Sequence, residues 1–237
     1  TTLPKVGIEC RFFTPDDSAE NIEKLIDDRT KFILAETAAN PAIVILDFDK
    51  ISAIAKKHSL LFIVDNTLAT PVLCRPKKFG ANIVIHSSSK YLDGHAAALG
   101  GMIVDLGNFN FKGNPRYASF NVPDESYHGL VYADLPVAFG TKCRAQMIRD
   151  IGAIMAPMNA YISYLGCDTL ALRMERHSSN AKKVAAYLHN HPKIEWVKHA
   201  SLPDNKYHAL AEKYLPNGQG GMMSFGIKGD VKTGAEC

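Results

Sequence analysis

Two short segments concentrate the side chains able to do chemistry. Asp65-Asn66-Thr67 and His86-Ser87-Ser88-Ser89-Lys90 supply an acid, an amide, several hydroxyls, an imidazole and a primary amine. Each follows an apolar run without alternation, Leu61-Phe62-Ile63-Val64 and Ile83-Val84-Ile85. That is how parallel strands covered on both faces read. Ligands of open α/β sheets sit outside the carboxyl ends of such strands, so these groups converge on one rim. Asn40 joins them from the end of a third apolar segment. A lysine just beyond a strand is ordinarily a solvated surface residue, and its neighbours are what change the reading here. An aldehyde needs an amine such as Lys90 for a Schiff base. A ring nitrogen needs a carboxylate such as Asp65 to stay protonated and act as an electron sink. A phosphate needs hydroxyls such as those of Ser87 and Ser89, and Asn40 can reach a phenolic oxygen. Together these are the groups a pyridoxal phosphate site requires. No GxGxxG or GxxxxGKS/T occurs, so nucleotide readings lack their phosphate cradle.

The elements that must position this rim follow from periodicity. Val6 to Phe13 alternates and predicts a strand, and Asp17 three residues before Glu20 predicts a helix start. Thr30 to Glu36 predicts a strand, and Ala38-Ala39-Asn40-Pro41 a turn. Asp47 caps a helix through Lys57, with Phe48, Ile51, Ile54 and Ala55 at helical spacing. After the two central strands, Met102-Ile103-Val104 forms another. The connection from Lys90 is too short for a crossover helix, so this strand runs antiparallel or irregularly. Such an order predicts an α/β fold, a mostly parallel sheet with helices on both faces.

Phe109 to Asp134 has no period and reads as a long loop, either functional or a surface insertion without a role. Leu135 to Leu172 is helical with breaks at Gly152 and Pro157, and Arg173 to His189 is a strong amphipathic helix. Ile194 to Val197 and Met222 to Lys228 are short strands. Residues 1–172 are thus read as a large cofactor-binding domain and residues 173–237 as the beginning of a smaller one.

Composition narrows the function classes. The 237 residues are 46% hydrophobic and 22% charged, with a net charge of +3. These values fit a soluble globular protein and are too weakly basic for nucleic acid. No apolar run reaches membrane-spanning length and no signal peptide opens the chain, whose first residue, Thr1, suggests processing or cutting. Cys10, Cys74, Cys143, Cys167 and Cys237 are scattered and odd in number. They read as buried free thiols in a reducing compartment, the cytoplasm, rather than as a disulfide framework or zinc site. His189 and His191, beside Pro192, read as a solvated helix end, so no metal is expected.

The strings Glu36-Thr37-Ala38-Ala39-Asn40-Pro41, Val64-Asp65-Asn66-Thr67 and His86-Ser87-Ser88-Ser89-Lys90-Tyr91, with Gly94-His95 and Gly100-Gly101, resemble the Cys/Met-metabolism family of fold-type I pyridoxal-phosphate enzymes. Leu170-Ala171-Leu172-Arg173-Met174-Glu175-Arg176-His177 extends the resemblance over nearly the whole chain. Ser126 to Tyr132, Lys213 to Pro216 and Gly220-Gly221 are similar to the O-acetylhomoserine sulfhydrylase branch. The resemblance implies an aspartate aminotransferase-like three-layer α/β/α large domain. It implies that Lys90 carries the cofactor and then serves as a base, on the expectation that it is buried. It further implies that Asp65 pairs with the ring nitrogen, Ser87 and Ser89 bind phosphate, and Asn40 bonds the phenolate oxygen. The activity implied is γ-replacement on O-acetyl-L-homoserine by sulfide or a thiol, in a homotetramer with shared sites. Cystathionine γ-synthase or methionine γ-lyase activity, or an inactive fragment keeping the fold, are the alternatives. Ser89 where threonine is commoner, Asp93 where glycine is frequent and Leu68 for an aromatic depart from the family pattern. The family's amino-terminal phosphate loop and tyrosines, and its carboxyl-terminal substrate arginine, are expected to lie outside this chain.

Overall fold

The structure, a computed structural model, describes residues 2–229, so Cys237 lies outside the described residues. Its strands are β1 (Phe32–Glu36), β2 (Ala38–Ala39), β3 (Val44–Ile45), β4 (Leu61–Asp65), β5 (Ile83–Ser87), β6 (Gly101–Asp105), β7 (Ile194–Lys198) and β8 (Ser224–Ile227). Its α-helices are α1 (Ala19–Glu23), α2 (Phe48–Lys57), α3 (Thr70–Leu73), α4 (Ala138–Lys142), α5 (Pro157–Asp168), α6 (Leu170–His189) and α7 (His208–Tyr214). A π-helical stretch, Cys143–Ile151, continues α4. The main sheet has the order β1-β4-β5-β6. β1 and β4 are parallel, as are β4 and β5. β6 runs antiparallel to β5, as its short connection requires.

The two central runs lack alternation because both of their faces are covered. Phe62, Val64 and Val84 pack with Phe48, Ile51 and Ile54 of α2 in the larger core. Leu61 and Ile83 face the other way, into an aromatic cluster of Phe111, Tyr117, Phe120 and Tyr132. That second cover is the segment from Phe109 to Asp134. It is therefore a layer of the fold and not a surface insertion. Its aromatic residues fall at irregular spacing, Phe109 and Phe111 in irregular backbone and Tyr117, Phe120 and Tyr132 on 3-10 turns, which is why no period announces them. Phe111 stacks on Phe120 with centroids 4.2 Å apart and planes 11° from parallel. The buried Tyr117 hydroxyl donates to Lys31 O at 2.5 Å and accepts from Leu61 N at 2.8 Å, pinning the layer to the amino ends of two strands. Asp124 accepts from the hydroxyls of Tyr132 (2.6 Å) and Ser126 (2.7 Å) and the Gln146 amide (2.8 Å). These donors, Tyr132 foremost, hold its carboxyl down at about 2.

Helix α2 starts at Asp47 as predicted, its carboxylate accepting from Lys50 N. Tyr214 of α7 adds a hydrogen bond to the same carboxylate at 3.2 Å and packs edge-on to Phe48 at 5.1 Å. Residues beyond 172 thus share the larger core. Three expectations are corrected. Val6 to Phe13 forms no strand: Leu3–Val6 is a 3-10 turn, and Val6 (67%), Ile8 (46%) and Phe12 (88%) alternate without any surface to bury them. Ser18, not Asp17, caps α1, accepting from Asn21 N, while Asp17 accepts from Thr14 N. Of the described cysteines only Cys74 is buried, and Cys10 is exposed. Among the described residues no helix is long and apolar enough to cross a membrane.

If the aromatic layer is structural, Phe111→Ala costs about 3–5 kcal/mol. Val122→Ala, at an exposed position of the same segment, stays within about 0.5 kcal/mol. Urea denaturation of both variants checks this, and equal, small effects would refute the structural role.

Candidate active site

Asp65 closes β4 opposite Ile85, and Ser87 closes β5 two residues further along. Side chains alternate along a strand. Asp65 and Ser87 therefore share the face of Leu61, Ile63, Ile83 and Ile85. The burial of that face fades towards the rim: Leu61 and Ile83 are buried, while Ile63, Ile85, Asp65 and Ser87 are half-buried. Thr67 joins the two strand ends. Its hydroxyl donates to Asp65 Oδ1 at 2.5 Å and accepts from Ser87 N at 2.9 Å, and its own N–H also reaches Asp65 Oδ1 at 2.9 Å. Asn66 is fully buried and structural. Its side chain accepts from Thr37 Oγ1 at 2.7 Å and donates to Cys74 O at 3.0 Å, tying the end of β1 to that of β4.

The serines after β5 divide. Ser88 is fully buried and its Oγ has no partner among the described residues, as is also true of His86 Nδ1. Ser89 Oγ exchanges hydrogen bonds with the Gly100 backbone, accepting from its N–H at 3.0 Å and donating to its carbonyl at 3.3 Å. A Cβ at Gly100 would lie 2.7 Å from Ser88 Oγ and 2.4 Å from Met155 Cε, so glycine is required for this approach. Lys90 stands in the turn Ser88–Leu92, with φ −96° and ψ −121° breaking the helical path. Its side chain is exposed among the described residues. Ser88 and Leu92 of the same turn are buried, so only part of it reaches the surface.

Asn40 does not end a strand of the main sheet. It sits at the exposed turn of the small β2–β3 hairpin, before a cis bond to Pro41. β8 reaches this turn through Ser224 Oγ, which donates to Pro41 O. Asp65, Ser87, Ser89 and Lys90 therefore share one rim of the main sheet, and Asn40 approaches from the separate hairpin. Three residues read only as strand ends or motif fillers gain roles. Thr67 orients Asp65. Glu36 lies opposite Asp65 across β1 and β4, and desolvation and then the Asp65 charge raise its carboxyl above the ordinary range. Burial likewise lowers His86 below its usual value, against the opposing pull of Asp65. Only the Asp/Thr spacing could have signalled the first.

Residues 1–237 match the family model for Cys/Met metabolism PLP-dependent enzymes. The chain belongs to that family. It is 43% identical to homocysteine/cysteine synthase of Kluyveromyces lactis over 98% of its own length and 53% of that protein. It is also 43% identical to O-acetyl-L-homoserine sulfhydrylase of Leptospira meyeri, over 98% of its length and 54% of that protein. The chain spans about half the length of the curated relatives it matches. Among solved structures, a Campylobacter jejuni protein described as an O-acetylhomoserine (thiol)-lyase, carrying an N'-pyridoxyl-lysine-5'-monophosphate, superposes with a TM-score of 0.91. It is 45% identical, covering 96% of this chain and 57% of that one. Cystathionine γ-lyase of Lactobacillus plantarum gives 0.72 at 33% identity, covering 89% and 47%.

The family's cofactor, pyridoxal phosphate, fits the donor set of this rim. The rim offers the primary amine of Lys90, the Asp65 carboxylate held by Thr67, and the half-buried hydroxyls of Ser87 and Ser89.

The Thr67 bridge is testable by itself. Thr67→Val leaves the Ser87 N–H without its acceptor and is expected to cost about 1–3 kcal/mol, while Thr67→Ser keeps the bridge and most of the stability. Thermal unfolding together with amide exchange at Ser87 reads both, and a Val variant as stable and protected as the Ser variant would refute the bridge.

Proposed function

We propose that this protein catalyses γ-replacement on O-acetyl-L-homoserine, with sulfide or a thiol displacing acetate to give homocysteine or methionine. The observation that carries the reading is likeness, in sequence and in fold, to proteins described by this one activity. The chain is 43% identical to an O-acetyl-L-homoserine sulfhydrylase and superposes at 0.91 on an O-acetylhomoserine (thiol)-lyase. Cystathionine γ-lyase is the second reading, supported by the weaker likeness at 0.72.

When bound, pyridoxal phosphate supplies an aldehyde for covalent linkage to amines and a ring that accepts electron pairs from carbon. The chain's own residues do the rest. Lys90 Nζ would hold the cofactor and, when free, would take and return substrate protons. Asp65 faces the ring nitrogen. Thr67 fixes one of its oxygens and leaves the other for that contact. Ser87 and Ser89 would hold the phosphate, Ser89 from a position where it now bonds Gly100. Asn40 donates to the phenolic oxygen from the hairpin turn. The β7–β8 unit beyond residue 172 docks on the large unit through Tyr214 and Leu215, and through Ser224 at that same turn. The partners are small molecules, an amino-acid ester and a sulfur donor. The assembly is a homotetramer and the compartment the cytoplasm, in keeping with free thiols at Cys10, Cys74, Cys143 and Cys167.

Incubation with saturating pyridoxal phosphate, borohydride reduction and peptide mapping is expected to place the label on Lys90, and a label on any other lysine refutes the site. With O-acetyl-L-homoserine, acetate release is expected to require sulfide, and Lys90→Ala to lower it by about 10²–10⁴-fold. Turnover of cystathionine in place of the ester would favour the second reading.

A further inference from the structure

The string Leu170-Ala171-Leu172-Arg173-Met174 opens α6, a helix with no part in the rim described above. Yet its Arg173 reaches across to the turn that carries Lys90. Arg173 Nη1 donates to Tyr91 O at 2.7 Å, and Nη2 donates to Gly166 O at 2.7 Å and Leu92 O at 3.3 Å. Nε is held by Thr169 Oγ1 at 3.0 Å. Every nitrogen of the guanidinium is thus engaged, two of them on the peptide groups immediately after Lys90. Arginine suits this position because its planar fork binds several acceptors in fixed directions, which a lysine ammonium cannot do.

The surroundings are built to admit it. Gly94 has φ +78°, and a Cβ there would lie 2.5 Å from Arg173 Nη1. A Cβ at Gly166 would lie 2.3 Å from Asp93 O, so α5 packs by its backbone against the same turn. Asp93, fully buried, closes the far side: its Oδ2 accepts from Ala97 N at 2.7 Å and Ala98 N at 3.3 Å.

We propose that Arg173 is the positioning residue for Lys90, fixing from α6 the main chain from which the cofactor-binding amine projects. The inference rests on the reading of Lys90 as that amine. Three variants test it: Arg173→Ala, Arg173→Lys and Gly94→Ala, with Arg176→Ala, an exposed arginine of the same helix, as control. Two readouts are used. One is amide exchange of residues 91–98 in the chain without cofactor. The other is the share of borohydride-locked pyridoxal phosphate found on Lys90, relative to all other lysines, with the visible absorption of the bound cofactor recorded beforehand.

Arg173→Ala is expected to speed exchange in that segment alone and to lower the Lys90 share by about tenfold. Arg173→Lys does not rescue it, Gly94→Ala reproduces the loss, and the Arg173→Ala/Gly94→Ala double variant adds nothing further. The inference is overturned if Arg173→Ala leaves the share within about twofold of wild type, or if Arg173→Lys restores it. It is equally overturned if exchange rises across the whole chain in both Arg173→Lys and Gly94→Ala, which would mark a merely structural role. Should wild-type chain fail to label at Lys90, it is the cofactor reading that falls, while the local exchange result still reports on the clamp.

Discussion

Because Ile63, Val64 and Asp65 pair in parallel with Ile83, Val84 and Ile85, two strands deliver their last side chains to the same rim at nearly the same height. The register is the constraint on which the site depends. A slip of one residue would turn Asp65 to the opposite face and bring Val64 in its place. What prevents the slip is burial on both sides: Phe62 and Val64 are wholly enclosed by the α2 face, and Leu61 and Ile83 by the aromatic layer. Neither face tolerates the other's residues without opening a cavity. Chemistry at the rim is thus specified by packing well below it.

Polar groups buried at the strand ends finish what packing begins. A buried amide without partners is costly, and Asn66 avoids that cost by bonding two other segments, Thr37 and Cys74. Thr67 does the same at the surface of the rim, where one hydroxyl serves a carboxylate and an amide of neighbouring strands. The three residues of Asp65-Asn66-Thr67 therefore act separately. Asn66 fastens the strand, Thr67 aims the acid, and Asp65 is aimed. A motif that looks like one functional unit in the sequence is two structural residues supporting one chemical group.

The apolar runs, the rim and the antiparallel last strand were legible because they follow from period and connection length, which are local. Four features were not. The aromatic layer escaped because Phe109, Phe111, Tyr117, Phe120 and Tyr132 have no common period, and only the sheet they cover relates them. The strand expected at Val6–Phe13 failed because alternation specifies a strand only where a partner edge and a buried face exist. Adjacent Asp17 and Ser18 are both good caps, and the choice of Ser18 was settled by Asp17 bonding back to Thr14. The position of Asn40 off the main sheet depends on a hairpin of two residue pairs, too short to show a pattern. Family resemblance supplied residue roles, but it could not show that Ser89 is engaged with Gly100 or that Lys90 is exposed.

That exposure is of a chain spanning about half the length of its relatives, and what the described residues fix is the main chain of the lysine. In the role proposed for Lys90, an amine that forms a covalent link, leaves it and then carries protons needs a fixed root and a mobile tip. The main chain around Lys90 supplies the root. Ser88 N–H donates to Gly100 O at 3.0 Å, Asp93 N–H to Ser88 O at 2.9 Å, and Gly94 N–H to Lys90 O at 2.8 Å. The four-carbon stem supplies the tip. Placing the lysine in a turn beyond β5, and not within the strand, separates the two requirements: the sheet and its neighbours hold the backbone, and the space outside the carboxyl ends is left to the side chain.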